Sequence, residues 1–168
     1  DCLLSRGLGD VYKRQYQAVA QGIYKKYGLD VTIKMGGPQV NITQMMAAGQ
    51  ADCIMGSSDI QMMQVREGGV PVVNVAAFFQ KDPQVLIAHD DVKGFEDLKG
   101  KTLLIGAQAN RGYWPWLKAK FGLKDEQTRP YTFNIQPFVA DKNTAQQGYL
   151  TSEPYAIQKA GVKSTVLM

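Results

Sequence analysis

Three stretches of the 168-residue chain repeat one arrangement: a short apolar run, a loop of small or polar residues, then a helix-like start. They are IMGSSDI at 54–60, LIGAQANRGYW at 104–114 and YLTSEPYAI at 149–157. Strand, loop and helix in that order form the repeating step of an open α/β sheet. Ligands of such sheets settle outside the carboxyl ends of the strands. Helix N-termini there offer unpaired N–H groups and a partial positive charge, which suit anions and polar heteroatoms. One feature thus constrains the fold and marks where binding chemistry belongs.

The intervening segments keep the same rhythm. From Gln17 onward, Ala18, Ile23, Tyr24 and Tyr27 suit one face of a helix, with Gly28 as its C-terminal cap. Leu29 to Met35 alternates as a strand, Gly36 to Pro38 is a turn, and Val40 to Ala48 is a helix ended by Gly49. Ala51 to Met55 predicts a short buried strand, and Ser58 to Glu67 a helix closed by Gly68-Gly69. Val70 to Phe79, rich in β-branched residues, carries the strongest strand signal of all. Around Gln80 to Asp91 the rhythm changes, because the strand VLIAH has no long helix before it. A lobe boundary is placed near Asp90 to Lys93. Beyond it come a short helix at Phe95–Leu98, a strand at Thr102–Ile105 and a helix at Tyr113–Phe121 ended by Gly122. Strands follow at Arg129–Ile135, Gln147–Thr151 and Ser164–Met168, with helices at Pro137–Lys142 and Pro154–Ala160. The class is α/β, with mainly parallel sheets and flanking helices.

Composition narrows the chemistry. With 45% apolar and 20% charged residues the chain is an ordinary globular one. A net charge of +4, with cations and acids interspersed, gives no basic block for nucleic acid. No apolar stretch approaches the roughly 18 residues that span a membrane. Cys2 and Cys53 make no disulfide framework, one histidine leaves little room for zinc, and Cys53 reads as a buried, inert thiol. The first fifteen residues, DCLLSRGLGDVYKRQ, lack helical or strand periodicity and resemble translated adapter sequence foreign to the fold. The last, STVLM, stop within an apolar run, so the chain reads as a fragment.

Each polar loop has a plain structural use beside the functional one. Ser57, Ser58 or Asp59 suit a helix cap as well as a ligand contact. Asn110 can cap a helix that has Pro115 in its first turn, and Glu153-Pro154 is an ordinary helix start. Trp114, Leu117 and Phe121 share a helical face that packs on the sheet. Tyr113 and Trp116 are then freer to meet a ligand, and Arg111 beside them suits a flat or anionic one. Catalysis has little to draw on. Asp52, Asp59 and Glu153 form no recognisable carboxylate pair, His89 has no Ser or Cys motif to serve, and GxSxG, P-loop and GxGxxG are absent. No catalytic residue, metal site or cofactor is expected.

The stretches YKKYGLDVTIKMGGP, TQMMAAGQADCIMGSSD, GVPVVNVAAFFQKDPQVLIAH, FEDLKGKTLLIGAQ and TSEPYA, in this order, resemble one family. It is the solute-binding proteins of ABC importers for nitrate, sulfonates, taurine and thiamine pyrimidine precursors. The resemblance runs from about Gln17 to Met168. It implies a two-lobed, type II periplasmic-binding-protein fold with a small-molecule ligand held between the lobes. The expected organisation is foreign sequence at 1–15, a first lobe at 16–90 lacking its first strand, and a truncated second lobe at 91–168. Implied binding residues are Gly56, Ser57, Ser58 and Gln80, then Gln108, Asn110, Arg111, Tyr113, Glu153 and Tyr155, with Gly36 and Gly37 at the rim. The resemblance further implies a monomer that works with ABC permease and ATPase subunits at a periplasmic or other extracytoplasmic location, without nucleic acid. A eukaryotic branch of the family synthesises the thiamine pyrimidine, using a lysine and a histidine where this chain has Gly56 to Ile60. A ligand-sensing module is a further alternative. Tyr113, Trp116 and Tyr155 suit a stacked pyrimidine with Glu153 accepting from a ring amine, and Arg111 suits an organic anion.

Overall fold

The computed structural model describes residues 2–5, 9–56, 58–77 and 79–168, with side chains from Gln15 onward except at Arg111. The chain divides into two compact units, Asp1–Gln80 and Lys81–Met168. Among the described residues no helix is long and apolar enough to cross a membrane.

The first unit comprises β1 (Cys2–Ser5), α1 (Gly9–Ala20), α2 (Ile23–Lys26), β2 (Thr32–Met35), α3 (Ile42–Ala47), β3 (Cys53–Ile54) and α4 (Asp59–Glu67). Its strands are parallel in the order β2-β1-β3, with Leu3 level with Ile33 and Cys53. Residues 2–5, expected to lie outside the fold, thus occupy the middle of this sheet, where a first strand was expected to be lacking. The single helix expected from Gln17 is two, divided at Gly22, whose φ of 64° no L side chain adopts easily. Asn41 starts α3 by accepting hydrogen bonds from the Gln44 amide at 3.2 Å and the Thr43 hydroxyl at 2.8 Å. That turn buries Ile42 against Ala51, with Val40, Met45 and Ile54 around them.

Two further expectations fail in this unit. Residues 70–77 form no strand, and Val73 and Val75 are 74% and 88% exposed. A β-branched sequence becomes a strand only where a neighbour completes its ladder. Here the segment is tied to α4 by side chains: Arg66 Nη1 donates to the Val72 carbonyl at 3.0 Å and Asn74 Nδ2 to Asp59 at 3.1 Å. Cys53 is exposed rather than buried, because β3 is a two-residue strand at the sheet edge.

The second unit comprises β4 (Gln84–His89), β5 (Thr102–Ile105), α5 (Trp114–Phe121), β6 (Thr128–Pro130), α6 (Gln136–Ala140), β7 (Thr144–Tyr149), α7 (Glu153–Lys159) and β8 (Ser164–Leu167). The strand order is β6-β5-β7-β4-β8. β5 runs parallel to β6 and β7, whereas β4 is antiparallel to both β7 and β8. This sheet is mixed but mainly parallel in direction: β6, β5, β7 and β8 point the same way and β4 alone runs against them. Because β4 finds both its partners here, the division falls ahead of it, at Gln80, and not at Asp90 to Lys93. β6 is shorter than expected, since Pro130 has no N–H to continue a ladder and Phe133 turns the chain with a φ of 62°.

Alternation along these strands builds a core on each face. Leu86, Ala88, Leu103, Ile105, Trp114 and Leu117 fill one. Val85, Ile87, Phe138 and Ile157 fill the other. Trp114 and Leu117 pack on the sheet as their spacing predicts, with Phe121 against the same cluster. The Trp114 ring nitrogen donates to Asp125 at 2.7 Å, and Lys118 reaches the other oxygen of Asp125 at 2.8 Å. His89 is a structural histidine: it is buried, stacks on Phe138 with centroids 4.1 Å apart, and has Nε2 2.9 Å from the Phe138 carbonyl.

Candidate functional site

Since β5, β6 and β7 run parallel, their C-terminal ends share one edge of the second unit. β5 leads through Gly106 into a 3-10 helix at Ala107–Arg111 and then into α5. Gln147, on β7 and 1% exposed, reaches under this loop. Its Oε1 accepts the Gly106 N–H at 2.9 Å and the Tyr113 hydroxyl at 2.9 Å. Between those two anchors lie Gln108, buried, and Asn110, exposed. Arg111 belongs to the same turn, with its side chain outside the described residues.

A second network joins the ends of β6 and β7. Tyr131, just past β6, donates its N–H to the Ile105 carbonyl at 3.0 Å and its hydroxyl to Glu153 Oε1. The other oxygen of Glu153 accepts the Tyr149 N–H at 2.8 Å. Burial, and then the hydrogen bond and charge of Glu153, push the Tyr131 phenol far above its ordinary range. Tyr149 and Tyr113 add to that push, so both networks stand within electrostatic reach of each other. Gly148 makes the arrangement possible. A Cβ there would lie 2.5 Å from Ile87 Cδ1 and 3.2 Å from Glu153 Cβ, so only glycine lets the start of α7 approach the sheet.

Gln108, Tyr113 and Glu153 are therefore brought together at one strand-end edge, and Tyr155 follows in the first turn of α7 with its side chain exposed. Glu153 and Ile157 form the buried face of α7, and Tyr155, two residues on from Glu153, is 70% exposed. Glu153 does not present a free carboxylate, because both its oxygens already accept hydrogen bonds within the fold. Trp116 lies with Phe95 and Phe121 in an edge-to-face group, with Lys120 4.9 Å over its ring. In the first unit, Ser58 is the N-cap of α4 and accepts from the Gln61 amide at 3.3 Å. Gly56 and Gln80 are exposed, Gly36 and Gly37 half-buried. A Cβ at Gly56 would meet Met62 at an ordinary 3.5 Å, so local packing does not demand glycine there. Ser57 lies outside the described residues.

Among the described residues no three His, Cys, Asp or Glu side chains gather as a metal would need. The strand-end edge offers amides, phenols, a buried carboxylate and backbone N–H groups, all of which can hydrogen-bond a ligand.

A family described as NMT1/THI5 like matches residues 13–168. The chain belongs to the NMT1/THI5-like family. Among solved structures it is similar to the alkanesulfonate-binding protein SsuA from Xanthomonas axonopodis pv. citri, solved bound to MOPS. The TM-score is 0.65 at 16% identity, over 99% of this chain and 59% of that one. At that identity the likeness is one of fold, and it is periplasmic-binding-protein-like. This chain spans 59% of the length of the SsuA chain. No curated protein sequence matches it.

In this NMT1/THI5-like chain, sequence patterning misses the two residues that tie the edge together, Gln147 and Tyr131. The available signal was Gln147, an amide beside Gly148 at the start of an expected strand, where a buried side chain of that kind needs a hydrogen-bond partner. Tyr131 gave no signal, because its partner Glu153 is remote in sequence.

Proposed function

We propose that the protein is the solute-binding component of an ABC importer, working outside the cytoplasm with permease and ATPase subunits, and that it binds rather than transforms its ligand. The ligand class is a small organic anion of the sulfonate or taurine kind. One observation carries the choice of class: the carboxylate in the strand-end cluster, Glu153, is buried and each of its oxygens already accepts a hydrogen bond, from Tyr131 and Tyr149, so it is committed to the fold rather than held out to an amine-bearing ring. Family membership and the SsuA-like fold support the role as a binding protein. In the second unit the candidate contacts are Gln108, Asn110, Arg111 and Tyr113; in the first they are Gly56, Ser57, Ser58 and Gln80.

A thermal-shift screen against alkanesulfonates, taurine, nitrate and aminopyrimidines tests this. A ligand bound only by the native state stabilises it by RT ln(1 + [L]/Kd), about 2.7 kcal/mol at a hundredfold excess over Kd. The expected result is a saturable shift with sulfonates or taurine. A shift confined to aminopyrimidines would overturn the ligand class. A folded sample that none of the four classes shifts would overturn the transport reading.

A further inference from the structure

We propose that Gln147 is the positioning residue of the binding edge: one carbonyl oxygen sets the shape of the loop that carries Gln108, Asn110, Arg111 and Tyr113. The inference rests on the functional reading above and deepens it. Gly106 and Tyr113 stand at the two ends of that loop, and both donate to the same atom, Gln147 Oε1, each at 2.9 Å. A carbonyl oxygen has two lone pairs, so this one is saturated by two donors that would otherwise leave the loop ends untied. Gln147 is 1% exposed and sits on β7, in the middle of the sheet, where packing holds its rotamer. Ala109, 3% exposed, packs into the same face of the sheet from the middle of the loop. The loop is thus clamped at both ends from below and pinned at its centre, which is the preorganisation that limits the entropy lost on binding.

The residue type matters as well as the bond. A glutamate could accept the same two hydrogen bonds, but its charge would lie beneath a loop that receives an anion. Glutamine supplies the acceptor without that charge.

Two measurements on the 168-residue chain test this, using Gln147→Met, which keeps the volume and accepts nothing, and Tyr113→Phe, which deletes one donor. The first needs no ligand. Amide hydrogen exchange should rise at residues 106–113 in Gln147→Met while β4 and β8 stay protected; unchanged exchange in the loop overturns the proposal. The second is affinity for MOPS and taurine by calorimetry on folded protein. Gln147→Met should weaken binding about tenfold, the scale of losing one to two modest hydrogen bonds. Adding Tyr113→Phe to it should cost less than Tyr113→Phe costs alone, because the two groups share one bond. Normal affinity in a Gln147→Met protein overturns the role of Gln147 and leaves the functional reading standing. Wild-type protein that binds neither probe overturns both. Should Gln147→Met fail to fold, Tyr113→Phe alone decides: loosened exchange at 106–113 with weaker binding supports the clamp, and no change in either overturns it.

Discussion

Gln146 and Gln147 are neighbours in sequence with opposite situations. Successive residues of a strand face opposite sides of the sheet, and Gln146 stands level with Ile87 and Leu104, on the face filled by Ile87, Phe138 and Ile157. It is fully buried, and neither its Nε2 nor its Oε1 has a hydrogen-bond partner among the described residues. A buried amide without partners costs roughly 1–3 kcal/mol, whereas an apolar side chain of similar shape costs nothing of that kind. Gln146→Met should therefore raise the unfolding free energy by about 1 kcal/mol in urea titration; an unchanged or lower value would mean that the amide has a use in the native state. Two residues on, Gly148→Ala places a methyl against Ile87 and Glu153 and should destabilise by roughly 1–3 kcal/mol. Neither effect was legible from the sequence, where QQGYLTSEP reads as the start of a strand at Gln147. The strand starts at Thr144 instead, and that shift is what sinks Gln146 into the core.

At the scale of elements, the helix limits were the most legible part. Glycines with positive φ close or divide them at Gly22, Gly28, Gly49, Gly69, Gly122 and Gly161, where only glycine is free of strain, and all but Gly22 were readable as stops. Strands were less legible because their existence depends on partners far along the chain: residues 70–77 have the composition of a strand and no ladder. Ser58 joins cap and candidate contact in one residue, and substitution can separate them. Ser58→Ala should cost about 1 kcal/mol by removing the acceptor for Gln61 N–H. Ser58→Asp should keep that stability and yet weaken anion binding; if it leaves affinity for MOPS unchanged, Ser58 is a cap alone. The Tyr131–Glu153 bond ties β6 to α7 and carries a pH signature. A phenol whose folded pKa is raised gives stability that is complete below the ordinary tyrosine range, about pH 10, and is lost as pH climbs beyond it. Alkaline denaturation monitored by far-UV circular dichroism should accordingly be less steep in Tyr131→Phe than in wild type.

For the whole molecule, the α/β class and the strand-end location of the polar loops were legible from the repeated strand–loop–helix step. The division between units was not, since VLIAH carries no mark of the sheet that claims it. That claim has a consequence. The second unit holds its own five-stranded sheet and a core on each face, so residues 81–168 should fold by themselves. Both tryptophans, Trp114 and Trp116, lie in this unit, whereas Cys53 lies in the other. Tryptophan fluorescence therefore reports the second unit alone. The acid side should follow the second unit as well. Lys101 lowers the pKa of Asp91 through a hydrogen bond, and Lys118, followed by Trp114, lowers that of Asp125. A carboxylate with a depressed folded pKa adds stability that is present above its unfolded value of 3.8 and is lost as pH falls through the folded one. An 81–168 protein should thus give one cooperative fluorescence transition, at a temperature close to that of the tryptophan signal in the whole chain, and both should fall together below about pH 4. If the excised unit shows no transition, its sheet depends on the first unit, and β4 is held by more than β7 and β8.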